Sequence, residues 1–151
     1  MLVNKKRGVS LVGVLLVLVV MSILVGIISI SMDGTLDNTY KREFIREYKL
    51  VKACTNDYVM RNSGVIDFVE TELDLSTIPN KYLSQFEGET IVNNKIAMYI
   101  IDLEKVGVSN PTYGNASDEN DIYLLSKDKL NVYYKEGFED NGTIYYKAIE
   151  D

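Results

Sequence analysis

The amino-acid sequence predicts an α+β chain, one long N-terminal helix packed on a small antiparallel β-sheet. Two observations predict it. Val9 to Met32 is an unbroken apolar run, and after it Leu36, Tyr40, Phe44, Tyr48, Val51 and Tyr58 recur at steps of four, four, four, three and seven. That spacing keeps apolar side chains on one face of a helix. From residue 64 onward, short Tyr-rich apolar runs alternate with Asn, Gly and Pro, as strands alternate with turns.

The first run has 24 residues and no charge. At about 1.5 Å per residue, a helix of that length reaches roughly 36 Å, enough to cross a hydrocarbon core of about 30 Å. Lys5, Lys6 and Arg7 stand directly before it, and the first eight residues hold no acid. That asymmetry predicts a cytoplasmic N-terminus and a chain that continues outside a cytoplasmic membrane. Residues 33–63 then read as an amphipathic continuation of the helix, with Lys41, Arg42, Glu43, Arg46, Glu47, Lys49 and Lys52 at solvated positions. Asp33-Gly34 is a weak point, since Gly is about 1 kcal/mol worse than Ala in a helix. The helix should end near Asn62-Ser63-Gly64, with Gly64 as the left-handed cap.

Residues 64–151 read as strands and loops. Ser76 to Phe86 contains Pro79 and has room for one helical turn at Lys81 to Phe86. Thr90 to Val92 and Ile96 to Leu103 flank Asn93-Asn94-Lys95, a hairpin signal. Val106 to Asn120 reads as a loop. Ile122 to Ser126, Leu130 to Lys135 and Thr143 to Ile149 read as strands, with Glu136 to Gly142 as a connecting turn. The result is an antiparallel meander of about four or five strands. A helix across one face should bury Phe44, Tyr48, Val51 and Tyr58 against Ile96, Met98, Ile100 and Val132.

Residues 33–151 carry 13 basic against 22 acidic residues, a net charge of −9. Such acidity speaks against nucleic acid or anionic lipid as a main partner. The chain has no His and no Trp, eleven Tyr and one Cys. Without His there is no imidazole base or metal ligand, and no nucleophile elbow or phosphate loop is present, so the expectation is a protein that is not an enzyme. Cys54 lies near the buried stripe and reads as a packed thiol. Asp118, Glu119 and Asp121 gather oxygen donors in one loop, a weak candidate for Ca²⁺ set against a solvated acidic turn.

A basic leader ending in Gly8, then Val9, Ser10, Leu11 and Val12 at the head of a Leu/Val-rich helix, resembles the type IV pilin family. The resemblance covers about residues 5–32. It implies a pilin-like fold, cleavage between Gly8 and Val9 by a prepilin peptidase, and methylation of Val9. It also implies partners: the membrane, other pilin-like subunits and, indirectly, an assembly platform protein and ATPase. The organisation expected is a cleaved leader at 1–8, a transmembrane or filament-core helix at 9–32, the amphipathic half at 33–63 and the sheet domain at 64–151. Some pseudopilins of secretion systems hold Ca²⁺ in a nearby loop.

Gly13 departs from the family pattern, in which the fifth residue of the mature chain is usually a glutamate that meets a neighbouring amino terminus. A chain without that carboxylate can offer its own amine but cannot neutralise another, which suits a minor or tip-located subunit. The alternative is a single-pass anchor that never assembles and carries an external binding or sensing domain. Ser22, Gly26 and Ser29 share one helical face, where small residues allow close helix packing. The machine served stays open between a pilus, a competence pseudopilus, type II secretion and an archaeal pilus.

Overall fold

The computed structural model describes residues 11–148, with side chains described for 13–19 and 38–148. The chain divides into two compact units, Met1–Thr39 and Tyr40–Asp151. Among the described residues it is α+β: helix α1 (Leu11–Arg61), seven strands in antiparallel sheets and two 3-10 helices.

The expectation of a pilin-like fold with a membrane-spanning half is corrected here. Among the described residues, no helix is long and apolar enough to cross a membrane. The side chains described on the N-terminal stretch of α1 are those of Gly13 to Val19, all exposed.

In the second unit, α1 buries Phe44, Tyr48, Val51, Thr55 and Val59, which follow one another at steps of four, three, four and four. Tyr40 belongs to the predicted stripe but is exposed, and Tyr58 is half-buried, stacked on Phe68 with ring centroids 5.2 Å apart. The helix ends in a Schellman cap: Gly64 N–H donates to Val59 O at 2.9 Å and Ser63 N–H to Met60 O at 3.2 Å. The left-handed C′ residue is Ser63, with φ 54°, rather than the predicted Gly64, which follows it at φ 80°.

The main sheet runs β1 (Val69–Asp74), β3 (Lys95–Ile100), β4 (Tyr123–Ser126), β5 (Val132–Tyr134), with β2 (Ile91–Val92) also paired to β3. The β2–β3 turn is Asn93-Asn94, at φ 52° and 61°, the doubly left-handed geometry that a two-residue hairpin favours. It sets the register Ile91↔Ile96 and Val92↔Lys95. A separate hairpin joins β6 (Phe138–Asp140) and β7 (Thr143–Tyr145). Residues 136–142 are therefore not only a turn. Their middle, Phe138–Asp140, is strand, closed by the Asn141-Gly142 turn.

Every residue of β4 and β5 is buried, because both faces of the sheet are covered. On the helix side, Tyr123, Leu125, Val132 and Tyr134 pack with Phe44, Tyr48 and Val51. On the other side, Ile96, Met98, Leu124 and Tyr133 pack with Leu75, Ile78, Tyr82 and Phe86. The latter four come from or flank the two 3-10 helices, Leu75–Thr77 and Asn80–Phe86. This corrects the expected contacts of α1. Val132 faces the helix, whereas Ile96, Met98 and the half-buried Ile100 face away from it. Period-2 alternation names the set of residues that share a face, but not which cover that face receives.

Candidate functional site

The sequence-predicted processing residues Lys5, Lys6, Arg7, Gly8, Val9 and Ser10 lie outside the described residues. Ser22, Gly26 and Ser29 fall within α1 at positions whose side chains are outside the described set. Gly13 is described. It lies in α1, and a Cβ built on it meets nothing within 4 Å, so the local backbone has space for a larger side chain.

The densest polar construction in the second unit sits where the loop between β3 and β4 meets α1. Three apolar side chains, Leu103, Val106 and Val108, root the first half of this loop in the core. A helical turn shapes it, with Val108 N–H donating to Leu103 O at 2.8 Å and Asp102 Oδ1 accepting from Lys105 N–H at 3.1 Å. The second half is held by two carboxylates.

Glu47 provides the first. Its Oε2 accepts from Thr112 N–H at 2.8 Å, and its Oε1 from Tyr113 N–H at 2.8 Å and from the Tyr123 hydroxyl at 3.3 Å. Glu43, one helical turn earlier, accepts from the Thr112 hydroxyl at 3.0 Å. The sequence reading placed both acids at solvated positions. Glu43 is exposed, as expected, whereas Glu47 is half-buried; both border the buried stripe and use their charge to bind loop N–H and O–H groups, a stronger bond than a neutral pair makes. The signal for this role was their flanking of Phe44 and Tyr48, which puts them at the rim of the buried face.

Asp121 provides the second and is only 4% exposed. Its Oδ1 accepts from Gly114 N–H at 2.6 Å and from the Tyr134 hydroxyl at 2.8 Å. Its Oδ2 accepts from the Ser117 hydroxyl at 2.8 Å and Ser117 N–H at 3.2 Å. Burial works to raise the Asp121 pKa, but the hydrogen bonds from Tyr134, Gly114 and Ser117 outweigh it and hold the carboxyl below its ordinary range. Gly114 is required at its place: its φ is 72°, and a Cβ there would collide with the Tyr123 ring. Tyr123 and Tyr134 are pushed far above the ordinary phenol range, first by burial and then by the carboxylates beside them. They remain neutral donors throughout the physiological range.

The three candidate Ca²⁺ ligands are not brought together. Asp121 turns inward to the four donors just named. Asp118 Oδ1 accepts from the N–H groups of Asn120 and Asp121, at 2.7 and 3.0 Å, in a side-chain-capped turn. Glu119 is exposed, and its backbone carbonyl accepts from Lys135 Nζ at 3.0 Å. Among the described residues, no three Asp, Glu, Cys or His side chains gather as a metal site. Cys54 is half-buried against the helix-side core. The chemistry of the whole construction is that of a latch: ionised acceptors facing neutral donors, closing a long loop onto a helix. No family model, no curated protein and no solved structure matches this chain.

Proposed function

We propose that this chain is a structural subunit, minor or tip-located, of a type IV pilus or a related pseudopilus of the competence or secretion kind. One observation carries the reading: Lys5-Lys6-Arg7-Gly8 stands directly before Val9-Ser10 and an uncharged apolar run to Met32. The reading rests on that segment and not on the fold of the second unit. In it, the precursor sits in the cytoplasmic membrane with residues 1–8 inside. A prepilin peptidase cuts after Gly8 and methylates Val9, and an assembly platform and ATPase move the apolar rod from lipid into a bundle of like rods. Ser22, Gly26 and Ser29 supply a close-packing face there. The external domain performs no chemistry of its own and takes no cofactor.

Gly13 supports the minor or terminal position. A carboxylate at that depth costs about 2.5–3.5 kcal/mol on insertion, so a subunit that keeps one needs an amine to meet it. A subunit with Gly13 escapes that cost and has no such contact to make. The same residue favours a second reading, a single-pass anchor that never assembles and displays a binding or sensing domain.

Co-expression of the full chain with a prepilin peptidase, followed by mass measurement of the N-terminus, tests the proposal. Methylated Val9 as the first residue is the expected result. A chain that still begins at Met1 beside an active peptidase rejects it. Between the two readings, Gly13→Glu decides: altered incorporation into filaments supports the terminal position, and unchanged incorporation removes it.

A further inference from the structure

Charge in the second unit is divided between its parts. From Tyr40 to Arg61, α1 carries six basic residues and three acidic ones. All three acids are engaged: Glu43 and Glu47 with the loop, and Asp57 with Arg61 at 2.7 Å. Residues 62–148 carry seven basic and fifteen acidic residues, a net −8. On the helix face opposite Phe44, Tyr48 and Val51, a straight exposed stripe runs Arg42, Arg46, Lys49, Ala53, Asn56, Met60 at alternating steps of four and three. Among the described residues, Arg42, Arg46 and Lys49 have no acidic side chain at ion-pair distance. Met60 closes the stripe at 80% exposure.

The acidic side of the surface is not uniform. Asp67, Glu70, Glu72 and Asp140 already hold Lys105, Lys127, Lys95 and Lys41. Asp118 and Glu119 are adjacent and exposed, and their carboxylates form no ion pair with a lysine or arginine among the described residues, although Lys135 Nζ reaches the Glu119 backbone carbonyl at 3.0 Å. Their turn is pre-set by the bonds to Asp118 Oδ1 and by the Asp121 latch behind it. A carboxylate pair on a turn held in this way loses little freedom on docking.

We propose that the Arg42–Arg46–Lys49 stripe is a docking surface for the Asp118–Glu119 turn of a second copy of this chain. The proposal rests on the assembly reading above in its minor-subunit form, in which copies of this chain neighbour one another, and names their contact surfaces; a lone tip subunit has no such neighbour. The two patches are different, so the contact is heterologous. Each copy that uses its stripe on one neighbour still offers its turn to another, and a contact of this kind extends into a row unless its rotation closes a ring. Complementary charge speeds the encounter and selects the partner more than it adds affinity, and salt weakens it.

The test uses the full chain in vesicles of neutral phosphatidylcholine, treated with a carbodiimide that couples a lysine amine to a carboxylate in contact with it. The expected product is a dimer whose joined peptides link Lys49 to Asp118 or Glu119. Its yield should fall at least tenfold in R42E/R46E, which keeps Lys49, and also in high salt. Coupled dimer should return when R42E/R46E/K49E is combined with D118K/E119K. An R42E/R46E chain that couples as well as the unaltered one overturns the proposal, as do joined peptides that lie elsewhere. A dimer that disappears when phosphatidylserine is added assigns the stripe to a lipid surface and also overturns it. The N-terminal mass separates this outcome from that of the assembly reading. With chain taken from cells that co-express a prepilin peptidase, coupled dimers that begin at Met1 sink the processing and leave the contact standing, whereas chains that begin at Val9 without coupled dimer do the reverse.

Discussion

The two faces of the main sheet are buried by different means. On one face, a single helix supplies Phe44, Tyr48 and Val51 in periodic order, and Phe44 alone packs beside Tyr48, Tyr113, Tyr134 and Phe138. On the other, two 3-10 helices too short for periodicity supply Leu75, Tyr82 and Phe86, and Phe86 packs beside Tyr133 and Tyr146. The helix face also carries the Glu47 and Asp121 latch. On the opposite face, Glu89 accepts from Tyr133 and Asn131 at 2.8 and 2.7 Å. A regular element covers its face at many points and anchors a loop besides. The irregular cover mixes the rings of Tyr82 and Phe86 with the aliphatic Leu75 and Ile78.

Truncation of the two phenylalanines tests that difference most severely. Phe44→Ala should destabilise the second unit by about 4 kcal/mol, and Phe86→Ala by about 3 kcal/mol, in denaturant unfolding of the full chain in detergent. Equal losses would mean that the irregular cover is as well packed as the helix. Next in size, Glu47→Ala removes three acceptor contacts and should loosen the β3–β4 loop by about 2–3 kcal/mol. Limited proteolysis should find new cuts between residues 101 and 122, and an unchanged digest would deny the latch. In the opposite direction, the Thr55 hydroxyl is fully buried and has no hydrogen-bond partner. Thr55→Val should therefore stabilise by about 1 kcal/mol, and a loss in melting temperature would show that the hydroxyl has a role.

The smallest effect near neutrality is that of pH. Because the native Asp121 pKa is lowered, its stabilisation is fully present above the ordinary carboxylate pKa of 3.8 and is lost as pH falls through the lower native value. The raised Tyr123 and Tyr134 act in reverse: their stabilisation is present below the ordinary phenol pKa of 10.0 and declines as pH rises beyond it. Stability should thus be flat with respect to these groups between those limits. Asp121→Asn should remove the acid limb and, because the Asp121 carboxylate helps to raise Tyr134, weaken the alkaline limb as well.

The elements legible in the sequence were those with a strong local code. The helix face from Phe44 to Val51 followed from apolar spacing, and the Asn93-Asn94 hairpin from residues that accept positive φ. The 3-10 segment at Asn80–Phe86 falls where one helical turn was expected, at Lys81 to Phe86 after Pro79. β1 was harder, since Val69-Glu70-Thr71-Glu72-Leu73-Asp74 is mostly exposed and owes its form to pairing with β3 rather than to its own pattern. β6 was hidden between a glycine and the Asn141-Gly142 turn. The Glu47 half of the latch was illegible because its bonds join residues more than sixty positions apart, Glu47 to Thr112 and Tyr113. An acid on a helix carries no mark of the loop it will meet.

The tyrosines give the molecule a built-in optical reporter. With no tryptophan present, near-ultraviolet absorbance above the phenylalanine band comes from phenol rings. Tyr113, Tyr123, Tyr133, Tyr134 and Tyr146 all resist ionisation because the fold encloses them. An alkaline spectral titration therefore follows opening of both faces of the sheet at once, with no dye and no engineered probe.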